Sequence, residues 1–136
     1  MFDDITTVTL TAAMRGASMR QTALAQNIAN ADTPGYKRVD VNFEGALADA
    51  LEADRAEIAR NRSIEAPAAF GPRERALDSV QPEVTRDTAS TIRVDGSNVD
   101  PDNEMSELAA NQLSYNTVTA LLDSRFSQMR AVIAGR

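Results

Sequence analysis

Two stripes at a 3.5-residue repeat, one near each end, restrict the fold more than anything else in these 136 residues. From Leu10, the positions Leu10, Met14, Ala17, Gln21, Leu24, Ile28 and Ala31 alternate steps of four and three, the spacing of a helix seam that faces another helix along its length. Near the other end Met105, Leu108, Gln112, Tyr115, Thr119, Leu122, Phe126, Met129 and Ile133 repeat the pattern, and Leu113, Val118, Leu121 and Val132 widen it. The first seam contains a Gln and two Ala, so it permits close approach but buries little area and binds weakly by itself. The second is wide enough to touch more than one neighbour. Periodicity alone would favour an ordinary intramolecular core.

Both stripes have marked ends. In "NIANADTPGYKR" Asn30 and Asp32 are poor interior helix residues, and Pro34 pushes Thr33 out of the helical region, so the first helix should stop at about Asn30 or Ala31. Pro34-Gly35 then suits the centre of a type II turn, which aims Tyr36 off the helix tip. Asn27 precedes the stop by one turn. Lys37 and Arg38 read as a solvated pair. The second helix is announced by "DGSNVDPDNEM", with Asp95, Gly96, Asn98, Val99, Asp100, Pro101, Glu104 and Met105. Asp100 serves as N-cap and Pro101 as the first helical residue, while Asp102, Glu104 and Glu107 sit where the helix dipole favours anions. Arg125, Arg130 and Arg136 load the far end. At about 1.5 Å per residue the two helices would measure on the order of 40 and 50 Å.

The predicted fold is mainly α: long N- and C-terminal helices paired as an antiparallel, coiled-coil-like hairpin, with an irregular middle segment. Four pieces follow: a helix over 1–31, a turn and exit over 32–42, a middle segment over 43–98, and a helix over 99–136. Within the middle, Phe43, Leu47, Leu51 and Ile58 give an imperfect helical stripe, residues 61–90 read as loop, and a short extended piece fits "STIRVDG", where Ile92 and Val94 alternate with polar residues. Aromatics are 4% of the chain and much of the apolar content is Ala, so a thick core is not expected. Each terminal helix should be marginal alone and stable in company.

Composition excludes several functions. A net charge of −6 leaves no basic stripe for a phosphate backbone. Without Cys or His the common nucleophiles, general bases and soft metal ligands are missing, so no catalytic, cofactor-binding or metal-binding residue is assigned. Asp95, Asp100, Asp102 and Glu104 invite a calcium loop, but counted from Asp100 its sixth and twelfth positions are Met105 and Asn111 rather than Gly and Glu. The start "MFDDITTVTL" is acidic where a secretory signal needs Lys or Arg, and no run approaches the roughly 18 apolar residues of a membrane span.

"NIANADTPGYKR" after an amphipathic helix, together with "DGSNVDPDNEMSELAANQLSYNTVTALLDSRF" at the other end, resembles the bacterial flagellar basal-body rod proteins. The resemblance covers about residues 8–44 and 93–134, and the short length and the "DGSNVDPDNEM" lead-in are similar to the proximal rod subunit. Ser97 departs from that pattern, which has Asn there. The resemblance implies a structural, non-enzymatic subunit that polymerises through its terminal helices into the tubular drive shaft. It further implies export by the flagellar type III apparatus, without a cleaved signal peptide, to the periplasmic rod of the basal body. Its implied partners are further copies of itself, the rod proteins FlgC, FlgF and FlgG, the adaptor FliE, the export gate and the inner-membrane ring, with no nucleic acid, small-molecule substrate or membrane insertion. The residues alone leave two other readings open: a small acidic coiled-coil adaptor or secretion chaperone forming a discrete dimer, and a carboxylate-based enzyme.

Overall fold

The computed structural model describes residues 5–61, 80, 82–90, 94 and 96–135. Among these the chain is mainly helical. Helix α1 (Ile5–Ala29) leads into strand β1 (Val39–Asn42), helix α2 (Glu44–Asn61), strand β2 (Glu83–Arg86) and the long helix α3 (Pro101–Ile133). The terminal helices pack on each other, and the strands form a two-stranded antiparallel sheet with Val39 opposite Arg86 and Asn42 opposite Glu83.

Local chemistry accounts for the ends of these elements. Helix α1 stops because residues 30–35 close on themselves: Thr33 N donates to Asn30 O at 2.9 Å and Tyr36 N to Thr33 O at 3.1 Å. Gly35 takes φ 73°, a left-handed value that a side chain would resist. Helix α3 starts where the Asp100 carboxylate accepts from the amides of Asp102 and Asn103, with Pro101 next, where its missing N–H costs nothing.

The core is thin. Ala23, Val39 and Val41 form its centre with Met19 against them, so β1 lies along the middle of α1. Ala17, Leu24, Ala31, Phe43, Val99 and Leu122 complete the buried apolar set among the described residues. Phe43 lies so close over Gly16 that a methyl group there would fall inside its ring. Arg20 also stacks on that ring at 5.0 Å, pairs with Glu44 at 2.5 Å and donates to Val41 O at 2.8 Å. The chain leaving the TPG turn is thereby clamped back onto α1.

The structure departs from the sequence expectation at one place in the middle. Strand β2 lies inside 61–90, which the sequence presents as loop. Its only apolar residue is exposed Val84, so its strand character comes from the long-range pairing with β1 rather than from a local pattern. Of the extended piece expected around "STIRVDG", residues 91–93 and 95 lie outside the described residues, and Val94 sits exposed in a turn.

Candidate functional site

The two end motifs meet in one buried polar joint. Asn27, on the last full turn of α1, has no exposed surface, and neither does Glu104 on the first turn of α3. The Asn27 amide nitrogen donates to Glu104 Oε2 at 2.9 Å and to Val39 O at 2.8 Å. Its oxygen accepts from Val39 N at 2.9 Å and from the Tyr36 hydroxyl at 3.3 Å. That uses both donors and both lone pairs of the amide, so Asn27 is saturated.

Glu104 is equally committed. Arg38 Nε reaches its other oxygen at 2.5 Å, and Arg38 Nη2 reaches Glu107 at 2.7 Å. Burial alone would lower the Arg38 pKa, but the Glu104 hydrogen bond and the charges of Glu104, Glu107 and Asp40 raise it above the ordinary arginine value. A buried carboxylate is tolerated only when paired and hydrogen-bonded, and here it is both.

A second ring of contacts fastens the lead-in to α3. Arg38 N donates to Asn98 Oδ1 at 2.7 Å, and the Asn98 amide nitrogen donates to Asp87 O and Ser90 Oγ, each at 2.9 Å. Lys37 Nζ reaches Ser90 O at 2.9 Å. The Asp87 carboxylate is held below the usual range by the Ser90 hydroxyl and by the amides of Ser90 and Ala89. Farther along, Asn111 donates to Ala17 O at 2.9 Å and Gln21 to Gln112 at 3.1 Å.

The motif residues thus divide into joint and rim. Asn27, Ala31, Asn98 and Val99 are buried, Asn30, Tyr36 and Gly96 half-buried, and Asp32, Thr33, Pro34, Gly35, Asp100 and Pro101 exposed. Gly96 lies against Gly35, so the two turns abut. Asp95 falls outside the described residues. Along α1, Ala17 and Leu24 are buried and Leu10, Met14, Gln21 and Ile28 half-buried.

Along α3 the packed face of the single chain differs from the sequence-derived seam at every second step. Leu108, Tyr115, Leu122 and Met129 are buried or half-buried as that seam requires. The positions between them are Glu104, Asn111, Val118 and Arg125, while Met105, Gln112, Phe126 and Ile133 are exposed. Polar side chains at 104, 111 and 125 disguise this face, because a hydropathy pattern places them in solvent. Glu104 and Arg38, read as a dipole-favoured acid and a solvated base, instead form the centre of the joint. Gly16 and Arg20 carry no signal in a lone sequence. Nothing local separates Arg38 from Lys37 either.

Among the described residues no group of three or more carboxylates is arranged to hold a metal ion, and no helix is long and apolar enough to cross a membrane. With its hydrogen-bonding atoms engaged internally, the joint is suited to holding two helices in a fixed relation.

Comparison with known proteins points the same way. A family profile described as "Flagella basal body rod protein" matches residues 9–37, the α1 seam and the TPG turn. The flagellar basal body rod protein FlgB of Borrelia hermsii is 36% identical over 116 residues, covering 85% of this chain and 86% of that protein. FlgB of Bacillus subtilis is 31% identical over 125 residues, covering 90% and 88%. FlgB of Salmonella typhimurium is 32% identical over 125 residues, covering 87% and 85%.

Proposed function

The chain belongs to the FlgB family of flagellar basal body rod proteins, and from that membership we propose that it is a structural subunit of the proximal rod, built into the tubular drive shaft through its terminal helices. The distribution of charge supports this most directly. Residues 108–122 of α3 contain no charged residue although most of them are exposed, and α1 has only two, both Arg. In α2, by contrast, seven of 18 residues are charged. Helices meant to face water carry charges on their outer side, whereas these are left bare for burial against other subunits.

The terminal helices form an antiparallel hairpin. The pairs Ala17 with Asn111 and Asn27 with Glu104 support it, because position rises along α1 as it falls along α3. The joint fixes that pairing, and the clamp at Arg20 and Phe43 directs the charged middle segment away from it. Neighbours of such a subunit are further copies of itself, FlgC, FlgF, FlgG and FliE, with the export gate and inner-membrane ring beneath. It reaches the periplasmic rod through the flagellar type III apparatus without losing a signal peptide, and it carries out no catalysis. Purified basal bodies test the proposal. An antibody to this chain should label the rod, and basal bodies that contain a complete rod without the chain would refute it.

A further inference from the structure

The two edges of the small sheet are finished differently. Asp87 N donates to Arg38 O at 2.9 Å, and bonded rungs alternate along an antiparallel ladder, so Asp40 and Asn42 bond across to Thr85 and Glu83. The peptide groups of Val39, Val41, Val84 and Arg86 therefore point away from the ladder. On β1 side chains seal them: Asn27 bonds both N and O of Val39, Asp40 accepts from Val41 N at 2.9 Å, and Arg20 donates to Val41 O. On β2 nothing among the described residues bonds the outward groups of Val84 and Arg86. We propose that this open edge receives an extended segment of another protein as a third, antiparallel strand, with an acidic side chain beside Arg86 and an apolar one beside Val84.

The side chains define that partner. Val84 and Arg86 share a sheet face with Val41 and Val39, which stand opposite them. Val41 is 1% exposed and Val84 56%, so the cover over this face ends between β1 and β2. Arg86 has no ion-pair partner among the described residues. An apolar neighbour would cover Val84 and a carboxylate would answer Arg86, each as a cross-strand pair. The edge is short, because Pro82 has no N–H to offer and the Asp87 carboxylate turns the chain back through the amides of Ala89 and Ser90. With so few backbone bonds available, those two side-chain pairs decide which segment is accepted.

A second copy does not fit. Every antiparallel register of β2 on β2 of another copy that joins the outward groups carries a fault. Placing Val84 opposite its own equivalent sets Arg86 against Pro82, which cannot donate. Placing Val84 opposite Arg86 sets Glu83 against Asp87, and placing Arg86 opposite its equivalent sets two cations side by side. Nor can copies add strand upon strand, because the β1 edge is closed.

The probe is the peptide acetyl-Thr-Asp-Thr-Val-Thr-amide, titrated to millimolar concentration into the isotope-labelled full-length chain and followed by backbone amide NMR. The Val84 and Arg86 amides should shift most, since they face the added strand, whereas the Thr85 amide faces β1. Arg86→Glu should weaken binding about fivefold, the effect of one cross-strand charge pair, and the same peptide with Lys in place of Asp should then bind this variant better than the original chain. Val84→Pro removes an outward donor but no rung to β1, so it should abolish the shifts while leaving the circular dichroism unchanged. If Val84→Pro disturbs the fold, the charge swap at Arg86 still decides. Unmoved Val84 and Arg86 amides, or an Arg86→Glu chain that does not distinguish the two peptides, would overturn the proposal. So would a dimer in sedimentation that Val84→Pro dissociates, since the occupant would then be a second copy. The rod assignment is judged separately, by whether basal bodies contain the chain.

Discussion

Asn27 and Glu104 stand 77 residues apart in sequence and share a 2.9 Å hydrogen bond with no exposed surface on either residue. One closes the first helix and the other opens the last, so this bond, with Arg38 across it, joins the two ends of the chain. The apolar core beside it is too thin to fix the pairing alone.

Removing the carboxylate should therefore be costly. Glu104→Ala leaves Arg38 Nε and one donor of Asn27 without their partner, and is expected to lose about 3 kcal/mol, the lower end for breaking a buried pair because Arg38 keeps some exposure and its bond to Glu107. Adding Arg38→Met should recover part of that loss, since the charges then left without a partner, Glu107 and Asp40, reach solvent. Urea unfolding followed by circular dichroism measures both. A double variant as unstable as the sum of the two singles would show that the pair is uncoupled.

At Gly16 the usual rule inverts. Gly to Ala inside a helix ordinarily gains up to about 1 kcal/mol, but here the added methyl collides with the Phe43 ring. Gly16→Ala should instead cost about 1 to 3 kcal/mol, the range for overpacking. Combining it with Phe43→Ala should remove the collision. Thermal melting decides it, and a higher midpoint for Gly16→Ala would contradict the close approach.

Asp87 gives a pH-dependent contribution of known sign. Its pKa is lowered by the Ser90 hydroxyl first and by backbone amides second, so the stability it adds is fully present above the ordinary aspartate value and is lost as pH falls through the lowered one. A carboxyl NMR titration should find Asp87 below the ordinary aspartate value, and Ser90→Ala should move it up. A titration that Ser90→Ala leaves unmoved would rule out the hydroxyl as the main cause.

How much of this was legible in the sequence depended on whether the signal was local. The stop at Pro34-Gly35 and the Asp100-Pro101 start involve neighbours in sequence, and residue types specify them directly. Strand β2 was hidden because its partner lies over forty residues away and its own side chains are mostly polar. The α3 face was half legible: Leu108, Tyr115, Leu122 and Met129 announce themselves by hydropathy, whereas Glu104 and Asn111 are buried because of what they bond, which no periodicity records. Arg38 looks like Lys37 until the fold brings Glu104 to it.

On α3, Leu122 is buried within the fold of the chain whereas Phe126 is exposed. Leu122→Asp puts a charge in the core and should unfold the subunit, by about 3 kcal/mol or more. Phe126→Asp, on an exposed side chain, should leave the helical circular dichroism of the purified subunit close to wild type.

Swimming in soft agar, in cells whose only copy of this subunit carries Phe126→Asp, is the most direct measurement of whether the terminal helices build the rod. Subunit level is followed by immunoblot, and Thr85→Lys on exposed β2, opposite Asp40, serves as a charged control. Cells with Phe126→Asp should make the subunit yet form no rod and fail to spread, while the Thr85→Lys cells swim. Normal spreading of the Phe126→Asp cells would contradict the assignment of the α3 stripe to subunit assembly.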